Sequence, residues 1–232
     1  MWFTIAAVEA CTELRFVAGR SAGEVSALLI RPADARWLLV LGHGAGAGMR
    51  HRFMDAVARR LADEKVATFR YQFPYMEQGS RRPSPKPILL ATVRAAVGAA
   101  SDAAGDLPLL AGGKSMGGRM TSVAAAVEPL PGVRGLVFFG FPLHPPRKPS
   151  DERAEHLSMV DVPMLFLAGT RDNLSDLPLL RPVCTRLGSP ARLHVIDDAD
   201  HSFGVRKRSG RTDEAVIEEL CSVTATWAAG LG

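Results

Sequence analysis

Six short apolar segments recur along the chain, with segments of helical periodicity between them. They are residues 36–42, 66–71, 107–112, 134–140, 163–169 and 191–197. Each is too short for a core helix, is bounded by Gly, Pro or Asp, and lacks the alternating polar positions of a half-exposed strand. The pattern therefore predicts strands that are buried on both faces of a parallel sheet.

The segments between these runs predict the connecting helices. Apolar residues recur at three- and four-residue spacing within residues 53–61, 89–100 and 216–227, which is typical of helices that pack on one face. Two earlier segments, 13–17 and 25–30, predict an antiparallel hairpin at one edge of the sheet. The alternation predicts an α/β fold with a doubly wound, mostly parallel sheet and helices on both faces.

Length and charge narrow the possible classes. The chain has 232 residues, and a single domain spanning residues 1–232 is expected. The formal net charge is +4, and the basic residues lie in small groups instead of one stripe with interleaved aromatics. No nucleic-acid binding is therefore expected. A solvated basic surface and an anionic substrate or partner are the two interpretations of the charge.

Cysteine usage and hydropathy bear on cofactors and location. Cys11, Cys184 and Cys221 are widely spaced, with no CxxC pair and no histidine at zinc-ligand spacing, so no metal or other cofactor is expected. Such cysteines predict a cytoplasmic protein. Residues 1–11 lack the positive and long apolar regions of a signal peptide. No apolar run reaches about 18 residues, so no membrane segment is expected.

The strongest chemical signal is Gly-Lys-Ser-Met-Gly at residues 113–117. It follows an apolar run and precedes the helix-compatible residues 120–127, which is the strand, sharp turn and helix context of a nucleophile elbow. A serine in such a strained turn needs small residues two positions away, and Gly113 and Gly117 meet that need. The motif predicts Ser115 as a nucleophile, with a glycine-rich turn of no chemical consequence as the alternative.

A serine nucleophile needs a base, and the base needs an orienting carboxylate. His201 lies in the loop just past the last predicted strand and is the predicted base, whereas His194 lies within that strand and is interpreted as a packed residue. Asp172 follows the preceding strand at its carboxyl end and is the predicted acid. Four other carboxylates compete for that role: Asp176, Asp197, Asp198 and Asp200.

Acyl transfer also needs N–H donors for the oxyanion. The amide of Met116, directly after the nucleophile, is one predicted donor. Ala45, in the small-residue loop 43–48, is the other, with Gly44 as its neighbouring alternative. A phosphate cradle is the competing interpretation of this loop, although the P-loop lysine and the dinucleotide glycine spacing are absent. His43 is interpreted as a structural turn residue.

Two proline-rich loops, 78–87 and 140–150, follow carboxyl ends of predicted strands and are expected to form pocket walls. Phe141 and Leu143 are expected to contact an acyl chain. The predicted pocket residues are Gly44, Phe141, Leu143 and His144. Basic residues in the second loop and in the helix-like segment 151–160 are expected to attract a substrate carboxylate or phosphate, or else to be solvated. They are His144, Arg147, Lys148 and Arg153.

Four of these motifs together resemble the α/β-hydrolase superfamily. They are His43-Gly44-Ala45-Gly46, Gly113 to Gly117, Gly169-Thr170-Arg171-Asp172 and Asp200-His201-Ser202-Phe203. More narrowly, residues 69–76, 112–120 and 140–146 are similar to the dienelactone-hydrolase-like branch. That branch includes the testis-expressed hydrolase-like proteins and the hydrolase-like domain of a chromatin-complex subunit. The resemblance covers residues 37–227.

The resemblance implies a single-domain α/β-hydrolase fold with hydrolase chemistry. The interval between Phe139 and Met164, where this superfamily commonly inserts a cap, is short, so no large cap is expected. Dienelactone hydrolase itself uses a cysteine nucleophile, whereas the present chain has Ser115, so lactone specificity is not implied.

Residues and resemblance together predict a metal-independent serine hydrolase. It is expected to cleave carboxylic esters, or thioesters, of small or medium acyl groups through an acyl-enzyme. Its expected partner is a small-molecule ester, and the oligomeric state is left open. The alternative is a non-catalytic binding or scaffold protein that retains the fold.

Overall fold

The computed structural model describes residues 11–19 and 22–232. The strands are β1 Thr12–Val17, β2 Glu24–Ile30, β3 Trp37–Gly42, β4 Val66–Tyr71, β5 Leu109–Lys114, β6 Val133–Phe139, β7 Met164–Gly169 and β8 Ala191–Ile196. They form an eight-stranded sheet with the order β1-β2-β4-β3-β5-β6-β7-β8. β1 and β2 form the predicted antiparallel hairpin, β2 pairs antiparallel with β4, and the strands from β4 to β8 are parallel.

Helices connect the parallel strands. They are α1 Arg52–Asp63, α2 Pro74–Glu77, α3 Lys86–Ala104, α4 Met116–Val127, α5 Leu177–Leu187 and α6 Asp213–Ala229. The helix-like segment 151–160 is the 3₁₀ helix Glu152–Met159, and a second 3₁₀ turn covers Lys207–Ser209.

Two apolar layers cover the two faces of the sheet. Successive residues of a strand point to opposite faces, so Leu38 and Val40 of β3 join the layer that contains α3, α4 and α5, whereas Leu39 and Leu41 join the layer of α1 and α6. All six residues of β3 are buried. The continuous apolar runs arise because both faces are covered. The predicted doubly wound, mostly parallel α/β fold is confirmed.

The sequence prediction missed α5 and shifted β5. Pro178 lies in the first turn of α5, where no N–H donor is needed, and Pro182 lies inside it. These prolines obscure the helical pattern of residues 177–187. β5 covers Leu109–Lys114 and not 107–112, because Gly113 and Lys114 still pair with Phe138 and Phe139 of β6.

The prediction that residues 1–11 are not a signal peptide falls mostly on residues 1–10, which lie outside the described residues. Among the described helices, none combines the length and the apolar content needed to cross a bilayer.

The carboxyl ends of the parallel strands meet at one edge of the sheet. β3 ends at Gly42, β5 at Lys114, β6 at Phe139, β7 at Gly169 and β8 at Ile196. The loops at this edge and the first residue of α4 carry the predicted catalytic, oxyanion-hole and pocket residues. This is the edge at which open α/β sheets bind ligands.

The contact between β5 and β6 predicts a strong effect of one methyl group. A Cβ atom at Gly112 would lie 1.9 Å from the carbonyl oxygen of Val137, so Gly112→Ala should force the two strands apart. We expect it to lower the free energy of unfolding by about 3 kcal/mol, as measured by chemical denaturation.

Gly98→Ala is the matched control. Gly98 lies on the exposed side of α3, and a Cβ there has nothing within 4 Å. Because alanine favours a helix over glycine, this variant should gain up to about 1 kcal/mol. Equal stability of the two variants would contradict the strand contact.

Candidate active site

Ser115 lies between the last residue of β5 and the first residue of α4. Its backbone has φ 50° and ψ −114°, a conformation that side chains other than that of glycine rarely adopt. The amide of Ser115 donates a hydrogen bond to the carbonyl of Phe139 at 3.1 Å. The strained turn is therefore held by the neighbouring strand β6.

Glycine is required on both sides of this turn. A Cβ atom at Gly113, and one at Gly117, would each lie 2.3 Å from the carbonyl oxygen of Gly42 at the end of β3. A Cβ at Gly118 would lie 2.8 Å from the carbonyl oxygen of Gly113. The turn thus packs backbone against backbone, which no larger residue permits.

The structure brings Ser115, His201 and Asp172 together. The Oγ atom of Ser115 lies 3.0 Å from Nε2 of His201, and Nδ1 of His201 lies 2.9 Å and 2.8 Å from the two carboxylate oxygens of Asp172. The Asp172 side chain is fully buried and that of His201 is 22% exposed. This geometry lets Nδ1–H donate to Asp172 while Nε2 accepts from the Ser115 hydroxyl.

The carboxylate of Asp172 is stabilised in its ionised form. Burial raises its pKa, but the hydrogen bond and charge of His201 and the backbone N–H groups of Leu174 and Ser175, at 2.8 Å and 2.9 Å, outweigh burial and lower it. A carboxylate in this state orients the imidazole and supports a positive charge on it.

The four competing carboxylates have other positions. Asp176 precedes the first turn of α5, and Asp197 accepts from the Thr170 hydroxyl at 3.3 Å. Asp198 accepts from Arg206, and Asp200 accepts from the amide of Ser202 at 2.8 Å and from that of Gly204 at 3.0 Å.

Asp198 and Arg206 fix the loop that carries His201. Asp198 has φ 54°, and its carboxylate accepts from the backbone and side chain of Arg206. Its carbonyl accepts from Arg171 at 2.8 Å, next to Asp172 in the chain. The two loops that supply the acid and the base are thereby tied to each other.

Gly140 and Lys114 lie beneath this group of side chains. A Cβ atom at Gly140 would lie 3.1 Å from Nζ of Lys114, 3.2 Å from Oδ2 of Asp172 and 3.4 Å from Cε1 of His201. Burial lowers the pKa of Lys114 to about 8, although the carboxylates of Asp172 and Asp200 oppose that shift. The Lys114 amine lies near the rings of Phe53 and Phe203, at 5.9 Å and 5.4 Å.

The backbone N–H groups of Met116 and Ala45, the two predicted oxyanion donors, lie at the same site as Ser115. Met116 is the first residue of α4, so its amide has no partner within the helix. In the loop 43–48, the amide of Gly46 donates to the Tyr75 hydroxyl and that of Ala47 to the carbonyl of Gly44. Ala45 and Met116 both line the cleft that contains Ser115.

The sequence model of a family described as alpha/beta hydrolase domain matches residues 35–229. The chain belongs to this alpha/beta hydrolase family.

Solved structures show the same architecture. A dienelactone hydrolase from Anabaena variabilis has a TM-score of 0.75 and 20% identity, over 94% of this chain and 96% of its own. A serine hydrolase without a lid from Xanthomonas campestris has a TM-score of 0.72 and 17% identity, over 97% of each chain. The esterase domain of a Rhodothermus marinus protein has a TM-score of 0.71 and 18% identity, over 96% of this chain and 100% of its own. At these identities the likeness shows a shared fold.

A cleft of about 420 Å³ opens beside Ser115 in this α/β hydrolase. Both proline-rich loops line it, as expected: Pro83 and Ser84 from the first, and Pro142, His144, Pro145 and Pro146 from the second. Further lining residues are Ala45, Lys86, Leu89, Met116, Arg119, Met120, Arg153 and Leu174.

The prediction was wrong for two pocket residues, which lie in the core and not in the cleft. Phe141 and Leu143 are 1% and 0% exposed and belong to the core layer beneath the cleft. Phe141 packs on Phe138 and Phe166, with ring centroids 5.2 Å and 5.9 Å away. Gly44 is buried beside the nucleophile, where its Cβ would lie 3.8 Å from Cβ of Ser115.

The basic residues also divide differently from the prediction. His144 and Arg153 line the cleft, whereas Arg147 and Lys148 are exposed outside it. Sequence reasoning missed Arg119, although its position four residues after Ser115 at the start of α4 places it on the same helix face.

Histidines outside the group have structural partners. His194 lies 2.7 Å from a Glu219 oxygen, and Nε2 of His156 lies 2.8 Å from the Ser122 hydroxyl. Within the described residues, no cluster of three His, Cys, Asp or Glu side chains could hold a metal ion.

His43 has two backbone partners in the interior. Its Nδ1–H donates to the carbonyl of Gly44 at 2.8 Å, and its Nε2 accepts from the amide of Phe73 at 3.1 Å. Burial lowers the pKa of His43 to about 4, so the ring is neutral at pH 7. These bonds position the start of the loop that contains Ala45.

The lowered pKa of His43 predicts an acid-dependent loss of stability. Between pH 6.5 and pH 4 the unfolded chain protonates this histidine and the folded chain does not, so the free energy of unfolding falls as the pH falls. The resulting loss of folding stability is about 3 kcal/mol and is complete below pH 4.

Chemical denaturation at pH 8, 6 and 4 tests this expectation. His43→Gln retains hydrogen-bonding groups without a titrating ring, and it should show a smaller stability loss on acidification than the unaltered protein. The values at pH 8 give the reference difference, since the histidine is neutral there in both states. Parallel pH profiles would contradict a depressed pKa at His43.

Proposed function

We propose that this hydrolase is a serine esterase that cleaves carboxylic esters, and thioesters, of small or medium acyl groups through an acyl-enzyme on Ser115. The observation that carries the proposal is the chain of hydrogen bonds from Ser115 through His201 to the buried Asp172, at 3.0 Å and 2.8 Å. It joins a nucleophile, a base and an orienting acid.

In the proposed reaction, His201 takes the Ser115 proton at Nε2 as Oγ attacks the carbonyl carbon. Asp172 holds Nδ1–H and supports the positive charge that forms on the imidazole. The amides of Met116 and Ala45 donate to the oxyanion of the tetrahedral intermediate. His201 then donates its proton to the leaving alcohol or thiol, and the same groups activate water to release the acid.

The cleft supports a preference for small or medium acyl groups. It holds about 420 Å³, and the described segment between β6 and β7 contains one 3₁₀ helix and no large cap. The neighbour from Xanthomonas campestris is likewise described as having no lid. A dienelactone hydrolase is among the structural neighbours, but the nucleophile proposed here is a serine, so a lactone substrate is not carried over.

Backbone strain favours catalysis over a purely structural role. Holding a non-glycine residue in a sparsely populated backbone region costs about 1–3 kcal/mol, and Ser115, with φ 50° and ψ −114°, lies outside even the left-handed helical region. A scaffold that only retained the fold would gain nothing from this strain.

Two further expectations remain predictions. One is a cytoplasmic location, which the free thiols of Cys11, Cys184 and Cys221 support. The other is the similarity to the testis-expressed and chromatin-subunit proteins.

Ser115→Ala tests the nucleophile. We expect kcat/KM for 4-nitrophenyl butyrate to fall at least about 10³-fold, and labelling by a fluorophosphonate to be lost, because one hydroxyl is removed and the elbow glycines remain. Circular dichroism should show an intact fold. Near-normal turnover by the folded variant would refute the proposed reaction.

Asp172→Asn tests the acid. An amide in this position no longer supports a charged imidazole, so kcat should fall on the order of 10³- to 10⁴-fold with a smaller change in KM. The matched control is Asp197→Asn, whose carboxylate accepts from Thr170 and does not contact His201. If the control loses as much activity as Asp172→Asn, the assignment of the acid is wrong.

A further inference from the structure

The cleft beside Ser115 has an unbalanced charge. Its lining includes Lys86, Arg119 and Arg153, and no described lining residue is acidic. Lys86 begins α3, Arg119 is in the first turns of α4, and Arg153 is in the 3₁₀ helix Glu152–Met159. Three separate elements therefore place cations on one cleft.

Arg119 and Arg153 are partly buried, and neither has a carboxylate partner among the described residues. The more deeply buried Arg70, which is 1% exposed, lies 3.1 Å from Asp55. The Nε atoms of Arg70 and Arg119 are both buried with no hydrogen-bond partner in the described part of the chain, so the carboxylate beside Arg70 is the difference between them. A desolvated cation without a partner is unfavourable unless an anion binds to it.

The charges in the cleft repel one another. Burial, followed by the positive charge of Arg153, lowers the pKa of Arg119. Burial, followed by the charges of Arg119 and Lys86, lowers the pKa of His156 to about 4, so this nearby ring is neutral at pH 7. The positive potential belongs to the three long side chains, and an anion would relieve their repulsion.

A second unsatisfied group lies in the same wall. His144 is 3% exposed, its Nδ1–H donates to the carbonyl of Pro145 at 2.9 Å, and its Nε2 is buried without a partner among the described residues. In this tautomer Nε2 is an acceptor. The cleft wall thus presents, besides the cations, an acceptor that a hydroxyl or N–H group of a ligand would satisfy and that a carboxylate oxygen would not.

The position of the cleft identifies which half of an ester enters it. The leaving alcohol receives its proton from His201, so it lies on the His201 side of Ser115. The cleft contains Ser115, Ala45 and Met116 but is not lined by His201. The acyl half therefore occupies the cleft. Arg119 follows Ser115 by one helical turn, a rise of about 6 Å, which suits a short acyl chain.

We propose that the cleft is an anion subsite, in which Arg119 and Arg153, with Lys86 at the rim, bind a carboxylate or phosphate on the acyl group of the substrate. The inference rests on the proposed esterase function and narrows its substrate class. Arginine suits this task because its planar guanidinium binds oxyanions through two parallel hydrogen bonds.

A matched pair of esters tests the subsite. Mono-4-nitrophenyl glutarate and 4-nitrophenyl pentanoate share the leaving group and chain length, and differ by a terminal carboxylate in place of a methyl group. We expect kcat/KM to be at least tenfold higher for the glutarate. Arg153→Met should lower the glutarate-to-pentanoate ratio about 10- to 100-fold, mainly through KM, as loss of a charged hydrogen bond predicts.

Two further variants keep the test sharp. Lys148→Met removes an exposed cation outside the cleft and should leave both rates and their ratio unchanged. Lys86→Met removes an exposed cation at the rim and should lower the ratio several-fold, which serves if Arg153→Met does not fold. An equal ratio in the unaltered protein and in both cleft variants, with Ser115-dependent turnover, overturns the subsite and leaves the esterase.

Direct binding separates the two proposals. Isothermal titration of glutarate, and separately of inorganic phosphate, into Ser115→Ala needs no turnover and shows which oxyanion the cleft prefers. Binding that weakens at least tenfold when Arg153→Met is added supports the subsite, even if neither ester is hydrolysed and the esterase function fails. No binding of either anion, or binding unaffected by Arg153→Met, overturns it.

Discussion

The turn at Ser115 packs against the end of β3 through backbone atoms alone, and the geometry of the site depends on that contact. With Gly113 and Gly117 each placed so that a Cβ would lie 2.3 Å from the carbonyl oxygen of Gly42, β5, α4 and β3 approach more closely than side chains permit. The chain turns sharply between Lys114 and Met116, with Ser115 at positive φ. Its hydroxyl then projects beyond the sheet edge, and the first amide of α4 stays without a helical partner.

Gly140 lets the proposed triad reach across a strand. Ser115 follows β5, whereas Asp172 and His201 follow β7 and β8, so β6 lies between them in the sheet. β6 is followed directly by Gly140, where a Cβ would come within 3.4 Å of both Asp172 and His201. Because Gly140 has no side chain, Asp172 and His201 can approach Ser115 over the end of β6.

The sequence predicts the sheet and the residues at its edge because both depend on local patterns. Buried parallel strands require continuous apolar runs, and the position of Asp172 and His201 after strand ends places them at that edge. Side-chain direction within a loop has no such pattern. Phe141 and Leu143 were therefore expected in the cleft but are buried in the core. Arg119 was not predicted because the elbow motif constrains the backbone of the turn, whereas the direction of a long side chain on α4 has no signature in the sequence.

The site separates charge in the direction that the proposed reaction requires. Attack by Ser115 creates a negative oxygen, which would lie near the amides of Met116 and Ala45 and on the side of the cationic cleft. It also creates a positive charge on His201, which lies against the buried carboxylate of Asp172. Lys114 opposes that second charge: burial lowers its pKa to about 8, but the amine is still mostly protonated at pH 7, so the contact of His201 with Asp172 has to outweigh it. Groups that are already in position on both sides of Ser115 thereby favour proton transfer to His201.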